Sequence, residues 1–460
     1  MIEDKSLFWG RLVTKYELKN TLKGSLNKEM ESVPCIVSEG YNYRCSRCNN
    51  QNQDKFDCLP AQNQFGREKA LNYCLNCVQM GRMIEGEFLY HLPEPKRIPY
   101  DKDKVILTWE GKLSTEQIRA SKDLIESLQI KDKAHLVYAV TGAGKTEMIF
   151  PVIAHVLKNG GRVGVVSPRI DVCLEIAPRL QQAFSEIDLM LLYGGQDEVY
   201  RYTQLVVATT HQLLRFKSAF DLLIVDEVDA FPYVNDDSLH FAVERAVIAN
   251  NGKRIYLTAT PDSKLQKQLK KQQITQTVLP ARYHRHPLPE PEFKWIGDWR
   301  MSILKKQEKS LLLRTIQMFL NLEGIKLIFM PSIYLAETLY VWLKSVKLGL
   351  KIACVHSKDP FRKEKVQDLR DGIYDSLVTT TILERGVTFT HCHVLIIGSE
   401  SPLYSTSALV QMSGRVGRKW DYPSGTLVYA HFGVSKSMLD AKKQIKQMNK
   451  QAKKRGLLND

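Results

Sequence analysis

Eight consecutive residues, Ala139-Val140-Thr141-Gly142-Ala143-Gly144-Lys145-Thr146, constrain this chain more than any other part of its 460 residues. The apolar run 136–140 reads as a buried strand, and the run 147–157 that follows reads as a helix. Strand, glycine loop and helix in this order make a cradle for polyphosphate. The glycines let backbone N–H groups face phosphate oxygens, and the helix N-terminus adds partial positive charge. Lys145 then reaches the β and γ oxygens, and Thr146 ligates Mg²⁺. Thr141, Gly142, Ala143, Gly144, Lys145 and Thr146 are therefore expected to bind ATP.

The rest of the site should be acidic and lie at the end of another strand. The run 221–225 delivers Asp226 and Glu227 to a strand's C-terminal edge, where sites form in parallel sheets. Asp226 would hold the Mg²⁺ hydration shell, and Glu227 would position or deprotonate the attacking water. Thr258 and Thr260, just before Pro261, end a third strand and are placed to couple the nucleotide to a cleft between domains. Farther on, Gln411-Met412-Ser413-Gly414-Arg415-Val416-Gly417-Arg418 sets Arg415 and Arg418 three apart, which predicts one helical face. Supplied from a facing domain, the two arginines would stabilise charge on the γ-phosphate in the transition state.

Short Val/Ile/Leu-rich runs at 134–140, 162–167, 205–209, 222–226 and 254–258 alternate with helical patterns, and the alternation resumes at 326–330, 352–356, 376–380, 394–398 and 426–431. The pattern predicts an α/β chain with two tandem parallel-sheet lobes. Proline-rich breaks at 92–99 and 284–291 divide it into an N-terminal region 1–100, a first lobe 101–285 that binds ATP, and a second lobe 286–460. The lysine-rich tail 441–455 has weak helical periodicity and reads as a solvated helix. No stretch approaches the ~18 apolar residues of a membrane span. The N-terminus lacks the basic and apolar regions of a secretory signal, so a cytoplasmic protein is expected. The net charge of +15 implies a polyanionic partner, either nucleic acid or an anionic membrane surface.

Six of the nine cysteines fall within the first 80 residues. Cys45-x2-Cys48 and Cys74-x2-Cys77 form two knuckles whose four thiolates can surround Zn²⁺ in a closed structural site. Reduced, unligated thiols or redox chemistry are the alternatives, and Cys58 or Cys35 could replace one ligand.

The ordered motifs resemble those of superfamily 2 helicases and translocases across residues ~105–435, which implies two RecA-like lobes. Ala139 at the first position of the phosphate loop, where glycine is usual, fits that subtype. Ser167-Pro168-Arg169, Ala208-Thr209-Thr210-His211-Gln212 and residues 379–387 are similar to motifs Ia, Ib and V, and Gln117 falls where the family reads adenine. The resemblance implies single-stranded DNA running over Pro168, Arg169, Thr210, Thr380 and Arg385. A four-cysteine module before the motor, the Asp226-Glu227-Val228-Asp229 box, and the segment 282–289 resemble the ComFA family of late-competence ATPases, relatives of PriA. That likeness implies an ATP-dependent translocase helping to import single-stranded DNA at the inner face of the membrane. It also implies partners such as ComFC, DprA and the membrane DNA channel. A PriA-like duplex-unwinding helicase for repair or replication restart is the alternative, and a zinc-bearing DNA-binding scaffold with a vestigial motor is a further one.

Overall fold

The computed structural model describes residues 5–17, 30–40, 42–62, 68–95, 99–100, 106–131, 133–196, 199–346, 351–384 and 389–459. The N-terminal region supplies short strands: β1 (Leu12–Thr14), β2 (Glu31–Pro34), β3 (Ile36–Glu39), β4 (Asn42–Cys45), β5 (Phe56–Gln62), β6 (Glu68–Cys74) and β7 (Phe88–His91). Antiparallel β1, β7 and β2 form one small sheet, while β3–β4 and β5–β6 are separate hairpins. Each hairpin ends its second strand on the first cysteine of a knuckle, Cys45 or Cys74.

The next strands are β8 (His135–Ala139), β9 (Val163–Ser167), β10 (Leu189–Leu192), β11 (Leu205–Thr209), β12 (Leu222–Asp226), β13 (Lys253–Thr258) and β14 (Thr275–Leu279), in the sheet order β10-β11-β9-β12-β13-β8-β14. The pairings from β10 across to β13 are parallel. A second, wholly parallel sheet takes β15 (Glu292–Trp295), β16 (Ile325–Phe329), β17 (Ile352–Val355), β18 (Ser376–Thr379), β19 (Cys392–Ile397) and β20 (Leu427–His431) in the order β15-β20-β19-β16-β18-β17. These are two RecA-like lobes. The expected apolar runs become strands covered on both faces, all of them central except β17 at a sheet edge, because a strand so covered must be apolar throughout. Three strands were not expected, β10, β14 and β15, and all three lie on sheet edges.

Contacts group the chain into two compact units: residues 1–137, 146–257 and 263–277, and residues 138–145, 258–262 and 278–460. In the first unit, one buried cluster joins Leu12, Cys35 and Leu89 of the N-terminal region to Val166, Val206, Phe216 and Phe220. Burying each such large side chain contributes ~1.5–3 kcal/mol. The proline-rich segment after β7 is anchored there as well. Arg162, wholly buried, donates from Nη1 to Glu94 Oε1 at 2.5 Å and from Nη2 to the Tyr200 hydroxyl at 2.8 Å. The Tyr202 hydroxyl donates to the other Glu94 oxygen at 2.8 Å. Gly10 makes room for this pair, since a Cβ there would lie 2.4 Å from Glu94 Oε1.

In the second unit the core surrounds Leu312, Ile316, Trp342, Leu395 and Val428. The lysine-rich tail is a regular helix, Lys436–Lys454, more ordered than its weak periodicity predicts. Met438, Ala441, Ile445, Met448 and Ala452 bury one face of it. Two of those five are alanines, which mark an apolar face only faintly in the sequence.

Candidate ATPase and metal sites

The phosphate loop leaves β8 at the buried Ala139 and turns through Gly142 and Gly144, whose φ angles are +81° and +73°. Side-chain-bearing residues are strained there, which explains glycine at both positions. The loop is pinned by backbone bonds from Val140 N–H to Leu279 O (3.1 Å) and from Tyr283 N–H to Gly142 O (3.1 Å). A helix begins at Lys145, as phosphate binding requires. The continuous helix expected over 147–157 is instead broken: one piece is Lys145–Met148 and the next is Phe150–Lys158. Pro151 has no N–H to give to the carbonyl four residues back, so the ladder is interrupted there.

Asp226 is the last residue of β12 and is buried. Glu227 follows in the left-handed region at φ +56°, with its N–H bonded to Asp226 Oδ1 at 2.8 Å. A non-glycine residue held in that region carries local strain, a common feature of functional turns. Thr258 and Thr260 are both buried, and the Thr258 hydroxyl accepts the Thr260 N–H at 2.9 Å. Thr260 Oγ1 in turn lies 2.8 Å from Ser407 Oγ, on the helix Thr406–Ser413 that carries Gln411.

Arg415 and Arg418 depart from the sequence reading. That helix ends at Ser413, so the two arginines lie on the turn beyond it and not on a helical face. The cause is Gly414 followed by Gly417. Gly417 adopts φ +62°, and a Cβ on it would lie 2.1 Å from Pro423 O. Gly414 is packed equally closely, because a Cβ there would lie 2.2 Å from Thr141 Oγ1 of the phosphate loop. Arg415 is buried and Arg418 half-buried.

Arg282 enters the sequence reading only within the segment 282–289 that carries the family resemblance, yet it is buried beside the phosphate loop. A Cβ on Gly142 would lie 3.5–3.6 Å from its Cγ, Cδ and Nε atoms. Its Nη1 donates to Gly417 O, which also receives His284 Nε2 at 3.1 Å. Nε and Nη2 have no hydrogen-bond partner among the described residues. Burial, reinforced by Arg418, pulls its pKa down to about 9. No spacing rule singles out such a residue; only its packing does.

Gln117 sits third in the helix Thr115–Ser127 and closes a capping box, its Oε1 accepting Ser114 N–H at 2.8 Å. Pro168 and Arg169 follow β9, Thr210 follows β11 and is fully buried, and half-buried Thr380 follows β18. Arg385 lies outside the described residues.

Cys45, Cys48, Cys74 and Cys77 converge, all buried, with sulfurs within 4.8 Å of one another. Sγ–Sγ separations are 3.8 Å for Cys45–Cys77 and 3.6 Å for Cys48–Cys74. A tetrahedron with Zn–S bonds of about 2.3 Å has edges of about 3.8 Å, so the four sulfurs fit that ion. Cys58 is exposed, and Cys35, though buried, stands outside the cluster. Burial pushes the Cys35 thiol up to about 12. Arg47, inside the first knuckle, spans to the second by donating to Met80 O (2.9 Å) and Gly81 O (3.1 Å).

Residues 3–91 match the competence protein ComFA N-terminal domain, 115–268 the DEAD/DEAH box helicase domain, and 311–419 the helicase conserved C-terminal domain. The competence protein ComFA of Bacillus subtilis (strain 168) is 41% identical over 98% of this chain and 98% of its own. That of Streptococcus pneumoniae (strain ATCC BAA-255 / R6) is 40% identical over 97% and 98%. Among solved structures, Mycobacterium smegmatis helicase Lhr, bound to ssDNA and AMP-PNP, has a TM-score of 0.53 at 18% identity, covering 74% of this chain and 50% of that one. S. cerevisiae Dbp5, bound to RNA and ADP BeF3, has 0.52 at 15% identity, covering 73% and 92%. These structures share the fold. The helicase domains imply ATP, usually with Mg²⁺, and a nucleic-acid partner. No helix among the described residues is long and apolar enough to cross a membrane. With its N-terminal cysteine module, helicase domains and near-full-length identity, the chain belongs to the ComFA family of competence proteins and is a superfamily 2 ATPase.

Proposed function

We propose that this chain is an ATP-driven translocase on single-stranded DNA that assists the import of transforming DNA during natural competence. The reading is carried by one co-occurrence. A phosphate loop, an acidic strand end and a buried arginine turn stand in a chain that aligns with a competence protein over 98% of both lengths. In this reading Thr141 to Gly144 cradle the phosphates, Lys145 holds the β and γ oxygens, and Thr146 and Asp226 hold Mg²⁺. Glu227 orients the attacking water, while Gln411, Arg415 and Arg418 stabilise the charge on the transferred group. Gln117 reads adenine, and Thr258 with Thr260 couples the nucleotide state to the grip on the strand. Pro168, Arg169, Thr210, Thr380 and Arg385 follow the DNA backbone. Successive tightening and release then move the strand.

Cys45, Cys48, Cys74 and Cys77 hold Zn²⁺ as a closed structural site; their separations support this ion. The working place is the cytoplasmic face of the membrane, as a peripheral protein serving ComFC, DprA and the DNA channel. The test is ATP hydrolysis with and without single-stranded DNA, beside transformation of a Lys145→Ala strain. Stimulation by the strand, together with loss of both activities in the variant, is expected. Hydrolysis indifferent to DNA, or normal transformation by Lys145→Ala, would sink the reading.

A further inference from the structure

A cavity of the first unit adjoins the segments similar to motifs Ia and Ib, through Pro168, Thr209, His211 and Gln212, but most of its wall comes from residues outside any motif. It encloses about 540 Å³, within the range of sites for small ligands. Its walls come from parts of the chain far apart in sequence: Arg11 beside β1, Gln79 and Met80 at the second cysteine knuckle, Tyr193 to Gln196 after β10, and His211 and Arg215 after β11. Pro168 after β9 closes one side. The cavity therefore opens at the carboxyl ends of β9, β10 and β11, where parallel sheets bind ligands.

Its chemistry points to an anion attached to a flat ring. Arg11 and Arg215 line the cavity, and the Nε atom of each, itself buried, has no hydrogen-bond partner among the described residues. Burial lowers the pKa of both guanidinium groups, Arg162 adds to the effect at Arg11, and Arg47 adds to it at Arg215. The carboxylate that faces them is Glu17, 3.5 Å from Arg215 Nη1. Glu94 is already paired with Arg162. Among the described residues, Arg11, Arg215, Arg162 and Arg47 stand against Glu17, Glu94 and the Asp236 that faces His211, and the surplus is positive. The Arg11 guanidinium carbon lies over the Tyr200 ring, 4.1 Å from its centroid, which positions its fork while leaving charge to spare. Tyr193 offers a half-buried aromatic ring next to Gly194 and Gly195, where an added Cβ would meet nothing within 4 Å. That bare backbone lets a ligand approach closely.

We infer that the cysteine module and the first lobe together build a nucleotide-binding pocket for the single strand, in which Arg11 and Arg215 hold a phosphodiester and Tyr193 stacks a base. This rests on the translocase reading and deepens it. The module then has a role beyond supporting the fold: Gln79 and Met80, two and three residues past Cys77, form one wall of the DNA site. Removing the metal would open the pocket without touching the phosphate loop.

The test is binding of a labelled oligothymidylate by fluorescence anisotropy, without nucleotide, over a series of salt concentrations. Arg215→Gln is expected to raise Kd about tenfold and to reduce the slope of log K against log salt by about 0.7, the loss of one phosphate contact on a single strand. Arg215→Lys should restore the slope. Tyr193→Ala should raise Kd about tenfold while leaving the slope unchanged, because stacking carries no counterion release. Zinc content and the near-ultraviolet circular dichroism spectrum report folding in each variant. Wild-type binding that persists unchanged in Arg215→Gln and Tyr193→Ala would overturn the pocket and leave the translocase reading standing. A wild-type chain that fails to bind the oligonucleotide would remove both.

Discussion

Arg245 is the side chain that ties the first cysteine knuckle to the lobe behind it, and replacing it with methionine tests that attachment. Its Nη1 donates to Ser46 O at 2.9 Å and to Arg47 O at 2.7 Å, inside the knuckle. Nη2 donates to Leu214 O at 2.8 Å and Nε to Phe216 O at 3.1 Å, both on the lobe. Burial draws its pKa down to about 10, with Arg47 adding to the effect, while the nearby cysteine sulfurs oppose it. Methionine keeps much of the packing and removes every donor. Hydrogen bonds from a charged group contribute ~1.5–3 kcal/mol each, and water entering this half-buried seam recovers part of that. A net loss of about 1 kcal/mol per knuckle carbonyl makes about 2 kcal/mol, or roughly 30-fold in the local opening equilibrium. Amide hydrogen exchange reads that quantity directly. The Ser46 N–H, bonded to Cys35 O at 3.0 Å, and the Asn49 N–H, bonded to Cys45 O at 2.8 Å, should exchange faster by about that factor. Amides of the helix Ile333–Ser345 should not change. Unaltered exchange at Ser46 and Asn49, or equal acceleration in both places, would refute the reasoning.

Glu94→Gln leaves buried Arg162 without its carboxylate and should cost about 3 kcal/mol, seen as a lower thermal midpoint; an unchanged midpoint would contradict the anchoring of the 92–95 segment. Gly417→Ala must shift a backbone that holds Arg282 and precedes Arg418, and a displacement of this kind should lower kcat for ATP hydrolysis about 100-fold, whereas a fully active variant would count against a tight turn. His135 lies between the Thr275 and Thr277 hydroxyls (2.8 and 3.0 Å), and burial, helped by Lys253, lowers its pKa from 6.5 to about 4. The unfolded chain therefore takes up the proton first, so the stability from neutral His135 is complete at pH 7 and is lost as pH falls from about 6.5 to about 4. That amounts to about 3 kcal/mol, and the gap in unfolding free energy between wild type and His135→Asn should narrow by that much over this range; a constant gap would exclude it. If the four cysteines hold a metal ion, a Cys45→Ser/Cys48→Ser double variant should bind none and lose protection from proteolysis over residues 42–91, with metal content equal to wild type as the contrary result.

Sequence alone was enough for the central strands, the phosphate loop, the acidic strand end and the pairing of two cysteine knuckles. These depend on local rules: a strand covered on both faces must be apolar throughout, and a phosphate turn needs glycine where φ is positive, as at Gly142 and Gly144. The knuckles were legible because both members of each lie within three residues. Edge strands β14 and β15 were not legible because their exposed positions erase the apolar signal; β10, four apolar residues, carried that signal and was missed. The arginine turn was misread as a helix because the spacing of Arg415 and Arg418 suits both, and only the close packing around Gly414 and Gly417 ends the helix at Ser413. Arg282, Arg245 and the Arg11–Arg215 cavity belong wholly to the tertiary structure. Each joins groups far apart in the chain, as Arg282 and Gly417 are 135 residues apart and Arg245 and Ser46 are 199 apart. No periodicity or motif encodes such a pairing, because the low polarity that makes a buried guanidinium choose its carbonyls exists only once both segments have packed.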